Sequence, residues 1–325
     1  MKRLLFSGLS VLLWGCGGDV SKEQVDGNGA KVDNPVVVEP GGRGQVTNVP
    51  PMSMLPPLVP QLDGEGCLAI VDPALEKALR ELSGVREGGM KVSDFPNPRS
   101  LDLRGKGIAD ISGLGAFAEL EFLDLTGNQI SWIGHLQGAV KLKELWIGEN
   151  QVAELSPLAR LADLEVLDAP SNKIEDLSPL KWLGKLERLN IRSNLVANLV
   201  GLEGAPGLLY LDARDNELAG VSGLVGLEAL ETLLLGSNKI SDITPLEGLR
   251  SLKVLHLARN EISDLGPLSG LKDLESLELR NNKVIVLEPL HSLGRPKEIH
   301  LWDNPLDDLE VAALRRALPV TSVRF

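Results

Sequence analysis

Leu233-Leu234-Leu235-Gly236-Ser237-Asn238-Lys239-Ile240-Ser241-Asp242-Ile243-Thr244-Pro245-Leu246, continuing through Leu249 and Leu252, is one turn of a register that the chain repeats every 22 residues. The asparagine recurs at Asn128, Asn150, Asn172, Asn194, Asn216, Asn238, Asn260, Asn282 and Asn304, with no insertion or deletion between rungs. With the asparagine as n, apolar residues fall at n−5, n−3, n+2, n+5, n+8, n+11 and n+14. Seven inward positions per unit, repeated without a break, describe units that bury their faces on one another. The alternating leucines before the asparagine have the period of a strand, and the asparagine ends it because its side chain bonds turn backbone. An inward amide needs partners, which its own turn and the neighbouring turns supply. A rung at the edge of the array lacks a neighbour, so the asparagine is expected to fail there first. One period before Asn128 stands Lys106.

The pattern Leu-x-x-Leu-x-Leu-x-x-Asn-x-Ile-x-Asp-Leu-x-Pro-Leu, from Leu101 to about Leu309, resembles the 22-residue leucine-rich repeats of the bacterial internalin-like family. Similar repeats occur in eukaryotic phosphatase-regulating proteins. The resemblance implies an α/β solenoid: a right-handed horseshoe or arc with a concave parallel sheet and convex 3₁₀ or irregular turns. Solenoid ends expose apolar faces, so helical caps are expected at both ends. Departures are local. The family's Asp at n+4 is Trp132, Glu154, Asn198, Gly220 or Val286 in five repeats, and the Pro at n+7 is His135, Gly201 or Gly223 in three.

The ends divide the chain further. Met1-Lys2-Arg3, an apolar stretch from Leu4 to Trp14, and Gly15-Cys16 read as a signal peptide over 1–15, too short to span a bilayer. The small residue before Cys16 resembles the bacterial lipoprotein signal, which implies lipidation of Cys16 and an envelope location, the outer membrane if the source is Gram-negative. The alternative is an ordinary secretory peptide and a secreted protein. From Gly17 to Gly66 there are seven prolines and nine glycines without sustained periodicity, so 16–66 is expected to be a disordered tether. Cys67 then has no intramolecular partner and is expected to be a free or buried thiol. An N-terminal cap is assigned to 67–98, where Asp72-Pro73 opens a helix with Leu75, Leu79 and Leu82 on one face. The repeats occupy 99–307. In the C-terminal cap, 308–325, a helix from Asp308 to Leu318 turns Val311, Leu314 and Leu318 inward, and Val323 and Phe325 close the sheet.

The formal charge is −12, hydrophobic residues make up 43% and aromatics 3%. That is a leucine core in an acidic chain with no basic patch, which argues against nucleic acid as a partner. No phosphate loop, zincin helix, nucleophile elbow, calcium loop or metal-spaced cysteine pair is present, so neither a catalytic set nor a cofactor is expected. The four histidines, His135, His256, His291 and His300, read as surface residues. His256 and His300 both occupy n−4 two strands apart, about 10 Å, which is far for shared ligation of one metal.

Function therefore falls to the face formed by n−6, n−4 and n−2. Phe122, Trp146, Tyr210 and Trp302 stand there, where no core demands aromatics, accompanied by Arg192, Arg214, Arg280, His256 and His300. Aromatics and arginine anchor interfaces. Asp102 and Asp124 lie side by side on adjacent strands, with Arg104 placed to pair with them. Trp132 and Trp182 fall on the return side. The expectation is a non-enzymatic, lipid-anchored protein that binds a macromolecule, a protein first, on its concave sheet. The alternatives are an enzyme's regulatory subunit, or an envelope structural protein whose aromatics stack on glycan or peptidoglycan.

Overall fold

The computed structural model describes residues 61–294 and 296–325, all within the unit Asn48–Phe325. The signal peptide, Cys16 and nearly all of the proposed tether lie outside the described residues. Eleven three-residue strands form one parallel sheet in sequence order: β1 Ser100–Asp102, β2 Phe122–Asp124, β3 Glu144–Trp146, β4 Val166–Asp168, β5 Arg188–Asn190, β6 Tyr210–Asp212, β7 Thr232–Leu234, β8 Val254–His256, β9 Ser276–Glu278, β10 Glu298–His300 and β11 Ser322–Arg324. Residues one period apart pair directly, as in Leu145↔Leu167 and Trp146↔Asp168. Each of the nine links between β1 and β10 carries one 3₁₀ turn. This is the leucine-rich repeat solenoid that the resemblance implies.

The seven inward positions are filled as expected. In the repeat of Asn150, Leu145, Ile147, Val152, Leu155, Leu158, Leu161 and Leu164 are all buried in one continuous core. The family's aspartate at n+4 opens the return turn. Asp110, Asp176, Asp242 and Asp264 accept the N–H of Ser112, Ser178, Thr244 and Gly266, two residues further on in each case. Where Pro gives way to Gly201, φ is 109° and a Cβ would stand 2.2 Å from the Leu177 carbonyl oxygen, so the site admits only glycine.

The asparagine ladder is directional. The Asn150 side-chain oxygen accepts the N–H of Ile130 at 2.9 Å, and its amide donates to the carbonyls of Leu125 at 3.0 Å and Ile147 at 3.0 Å. Its partners are its own turn and the preceding repeat, never the following one, and the other rungs repeat this pattern. Asn304 at the far edge is complete, bonded to the Val284 N–H and to the Leu279 and Leu301 carbonyls. Lys106 has no earlier repeat to bond. The expectation that edges lose the asparagine is thus corrected to one edge, the N-terminal.

Helix α1, Pro73–Ser83, caps the first repeat. One Asp72 oxygen accepts the N–H groups of Ala74 and Leu75, and the other accepts those of Ala109 and Asp110, which ties the helix to the array. The buried face is Leu75, Ala78 and Leu79. Leu82, assigned inward by spacing, lies at the exposed end of the last turn instead. Cys67 is a buried free thiol. Residues 61–66 do not belong to the tether. Leu62 bridges Leu68 in an antiparallel pair, and the Gln61 oxygen accepts from the N–H groups of Gly113 and Gly115. A proline- and glycine-rich composition concealed these bonds. At the other end α2, Asp308–Ala317, buries Leu314 and is capped by Asp307, and β11 pairs with β10. Val311 is only half-buried.

Candidate functional site

Positions n−6 and n−4 lie within the strands and n−2 just beyond them, and side-chain alternation sends all three away from the leucine core. The N-terminal part of this face is acidic and aromatic. Phe122, Trp146 and Pro170 line a hollow of about 490 Å³ together with Arg104, Asp124, Thr126, Gly148, Glu149 and Asp168. Arg104 lies over the carboxylate pair, 2.7 Å from Asp102 and 3.3 Å from Asp124. Burial raises the Asp168 carboxyl despite a hydrogen bond of 2.7 Å from Asn190. Phe122 and Trp146 are both partly exposed.

Across β5 and β6 the character changes. Arg188 stacks on the ring of Tyr210 with its guanidinium 3.8 Å from the centroid, a cross-strand pair in direct register. Arg192 bonds Asp215 at 2.9 Å, and Arg214 grips the almost fully buried Asp212 through two nitrogens. Further along, His300 bonds Glu278 at 2.9 Å and lies 5.4 Å from the Trp302 ring.

The histidines are not free surface residues. His256 is half-buried on the sheet face. Burial first, then Arg214 and Arg280, depress its imidazole against the opposing pull of Glu278. His135 packs edge-on against Trp132 at 4.8 Å and sits 3.6 Å from Asp110, and burial lowers it likewise. No group of three His, Cys, Asp or Glu among the described residues is placed to hold a metal ion.

The structure thus splits the predicted set. Phe122 and Trp146 share one hollow. Arg192, Arg214, His256 and Arg280 line a second, of about 180 Å³. Tyr210 lines neither of these; Trp302 and Arg280 share a third of about 210 Å³. Read along the chain there is no basic patch, yet folding assembles one, because Arg192, Arg214 and Arg280 stand 22, 66 and 88 residues apart at the same register position. The position that the sequence reading passes over is n−1. From Glu149 to Asp303 its φ lies between 55° and 58° in every repeat, the left-handed region. Its occupants are Gly105, Gly127 and short polar residues, except for Glu149 and Arg259. Those two long side chains line the acidic and the basic hollow respectively. Their length in a row of short residues is the signal that marks them.

The fold is one parallel sheet with 3₁₀ returns, and the family model described as "Leucine Rich repeats (2 copies)" matches residues 250–284. Internalin C2 of Listeria monocytogenes is 31% identical, with 62% of this chain and 91% of that one covered and a TM-score of 0.58. The chain belongs to the internalin-like leucine-rich repeat proteins. The functional domain of InlJ from the same organism is 16% identical over 78% of this chain and 59% of its own, TM-score 0.58. The plant peptide hormone receptor RGFR1, solved in complex with RGF2, is 22% identical over 60% and 38%, TM-score 0.51. The last two likenesses show the fold alone. No curated protein matches the sequence.

Proposed function

We propose that this chain is a lipid-anchored envelope protein that holds a protein partner on the concave face of its sheet. The observation that carries the reading is the Phe122–Trp146–Pro170 hollow: apolar rings left partly open on a face that needs none of them for its core. A parallel sheet of short strands locked by the asparagine ladder is preorganised, so association orders little. The plant receptor of the same fold was solved with a peptide hormone, which agrees with this use of the scaffold. Lipidation of Cys16 would supply the anchor, with acyl chains contributing about 0.8 kcal/mol per buried methylene.

The test is partner capture from envelope extracts and from host or neighbouring-cell extracts, with wild type beside a variant carrying Trp146→Ala, Tyr210→Ala and Trp302→Ala. Proteins retained by wild type and lost by the variant support the concave face; identical retention overturns it. Variant-sensitive binding to peptidoglycan instead of protein would assign the face to glycan. Mass spectrometry of the mature N-terminus decides the anchor, since an unmodified Cys16 on a chain found in culture medium would make the protein secreted.

A further inference from the structure

The basic hollow is a notch in the n−2 row. Arg192 and Arg214 precede it and Arg280 follows it; the two positions between are Gly236 and Ala258, so the floor is nearly bare. A Cβ on Gly236 would approach His256 Nδ1 to 2.7 Å and the Ala258 carbonyl oxygen to 3.3 Å, so the floor admits no larger residue without displacing the imidazole. From Arg214 to Arg280 is three strand spacings, about 14 Å. Arg259 rises from the n−1 row at the same place and lines both this notch and the adjoining hollow beside Trp302.

The charges around the notch are unevenly neutralised. Arg192 is paired with Asp215 and Arg214 with Asp212. Arg280 has Glu278 only at 3.9 Å, and Arg259 makes no ion pair among the described residues. Asp303 at the rim of the adjoining hollow is the other carboxylate nearby. Three nitrogens here, His256 Nδ1, Arg280 Nε and Trp302 Nε1, are shielded from solvent without a hydrogen-bond partner among the described residues. Arginine and indole nitrogens are donors only, so what completes them is an acceptor. Arg259 also adopts a φ of 57°, which the array elsewhere gives mainly to Gly, Ser, Asp and Asn. A long cation held in that conformation has a cost that points to use.

We infer that the notch between Arg214 and Arg280, with Arg259 on its rim, binds carboxylate side chains of an acidic peptide segment in the partner. Guanidinium forks match carboxylates bidentately. An extended segment laid across the strands would set acidic side chains against Arg259 and Arg280 in turn. An acidic partner is the complement of this patch alone, because the rest of the chain is strongly negative and repels it. The inference rests on the concave face being the binding face, and it fixes the partner's chemistry at one end.

The experiment uses the full chain and fluorophore-labelled hexaglutamate, followed by anisotropy at low salt. Arg259→Ser with Arg280→Ala is the test variant; Ser171, Ser193 and Ser237 already occupy n−1 and Ala258 already occupies n−2, so the array accommodates both residues. Arg250→Ala with Lys239→Ala removes the same charge away from the concave face. Saturable binding to wild type, weakened at least about tenfold by the test variant and little by the control, is the expected result. Salt should weaken it further. No binding, or equal weakening by both variants, would overturn the inference. Displacement of the peptide by equimolar inorganic phosphate would overturn the peptide assignment and give the notch to free phosphate. Partner capture that depends on the aromatics but survives the arginine variant would leave the broader function standing and remove this site.

Discussion

A single asparagine side chain in this protein satisfies a backbone N–H of the preceding repeat, a carbonyl of that repeat and a carbonyl of its own turn. Asn150→Ala would orphan the Ile130 N–H in the core, while the Leu125 and Ile147 carbonyls keep the Asn128 and Asn172 amides as donors. A buried, unpaired group costs about 1–3 kcal/mol, and we expect a loss of about 2 kcal/mol in urea unfolding. Asn304→Ala removes the same kind of bonds at a half-buried rung, where water can replace them, so its cost should be roughly half as large. Equal losses would show that the ladder works by something other than desolvated hydrogen bonds. The residue scale is also where sequence was least complete. The asparagines were legible because their spacing is fixed, but the direction in which each amide donates was not, since both neighbouring turns offer the same backbone groups. Arg188 over Tyr210 and Arg259 at a left-handed φ likewise became visible only once strands 22 residues apart were side by side.

Among the elements, α1 packs through Leu75, Ala78 and Leu79, and its hydrogen bonds to the backbone of the first repeat run through Asp72. Burial alone would raise the Asp72 carboxyl, but the N–H groups of Asp110, Ala109, Leu75 and Ala74 outweigh it and hold the carboxyl below its ordinary value. Asp72→Ala removes an N-cap, worth about 1 kcal/mol, and also leaves two N–H groups of the first repeat without their acceptor. A total of about 2–3 kcal/mol is expected near neutral pH. A depressed carboxyl stabilises the fold above its unfolded value and loses that contribution as pH falls through the folded one. The gap between wild type and Asp72→Ala in thermal unfolding should therefore narrow below about pH 4. A gap that stays constant well below that pH would mean that the carboxylate charge is not what holds the helix. Both cap helices were legible, α1 from Asp72-Pro73 and its apolar spacing, α2 from its apolar spacing and Pro319, and Leu318 is buried as expected. The last turn of α1 was not: Leu82 keeps the helical period but runs past the end of the core it would cover.

The whole molecule is a stack of near-identical contacts, each between neighbours only. Lys141–Glu119, Lys143–Glu121, Lys185–Asp163, Lys239–Glu217, Lys253–Glu231 and Lys283–Glu261 are surface ion pairs one period apart, the same relation as the strand register. Excising 217–238 joins Asn216 to Lys239 and preserves every register position. That chain should keep a ten-stranded sheet and a cooperative thermal transition by circular dichroism, at a lower midpoint. Excising 217–227 sets leucines against the wrong face and should abolish the transition; survival of both would mean register does not govern stacking. It is the period that made the architecture, the core and the open face readable in advance: with a repeat of fixed length, every inward position follows from one. Sequence also marked Phe122, Trp146, Tyr210 and Trp302, because an aromatic on a face with no core is conspicuous in that register. Which of them share a hollow, which arginines are already neutralised and which are left over was decided by the tertiary structure alone. Those properties depend on distances between side chains on different strands, and on the bare floor that Gly236 and Ala258 leave between charges that linear order keeps far apart.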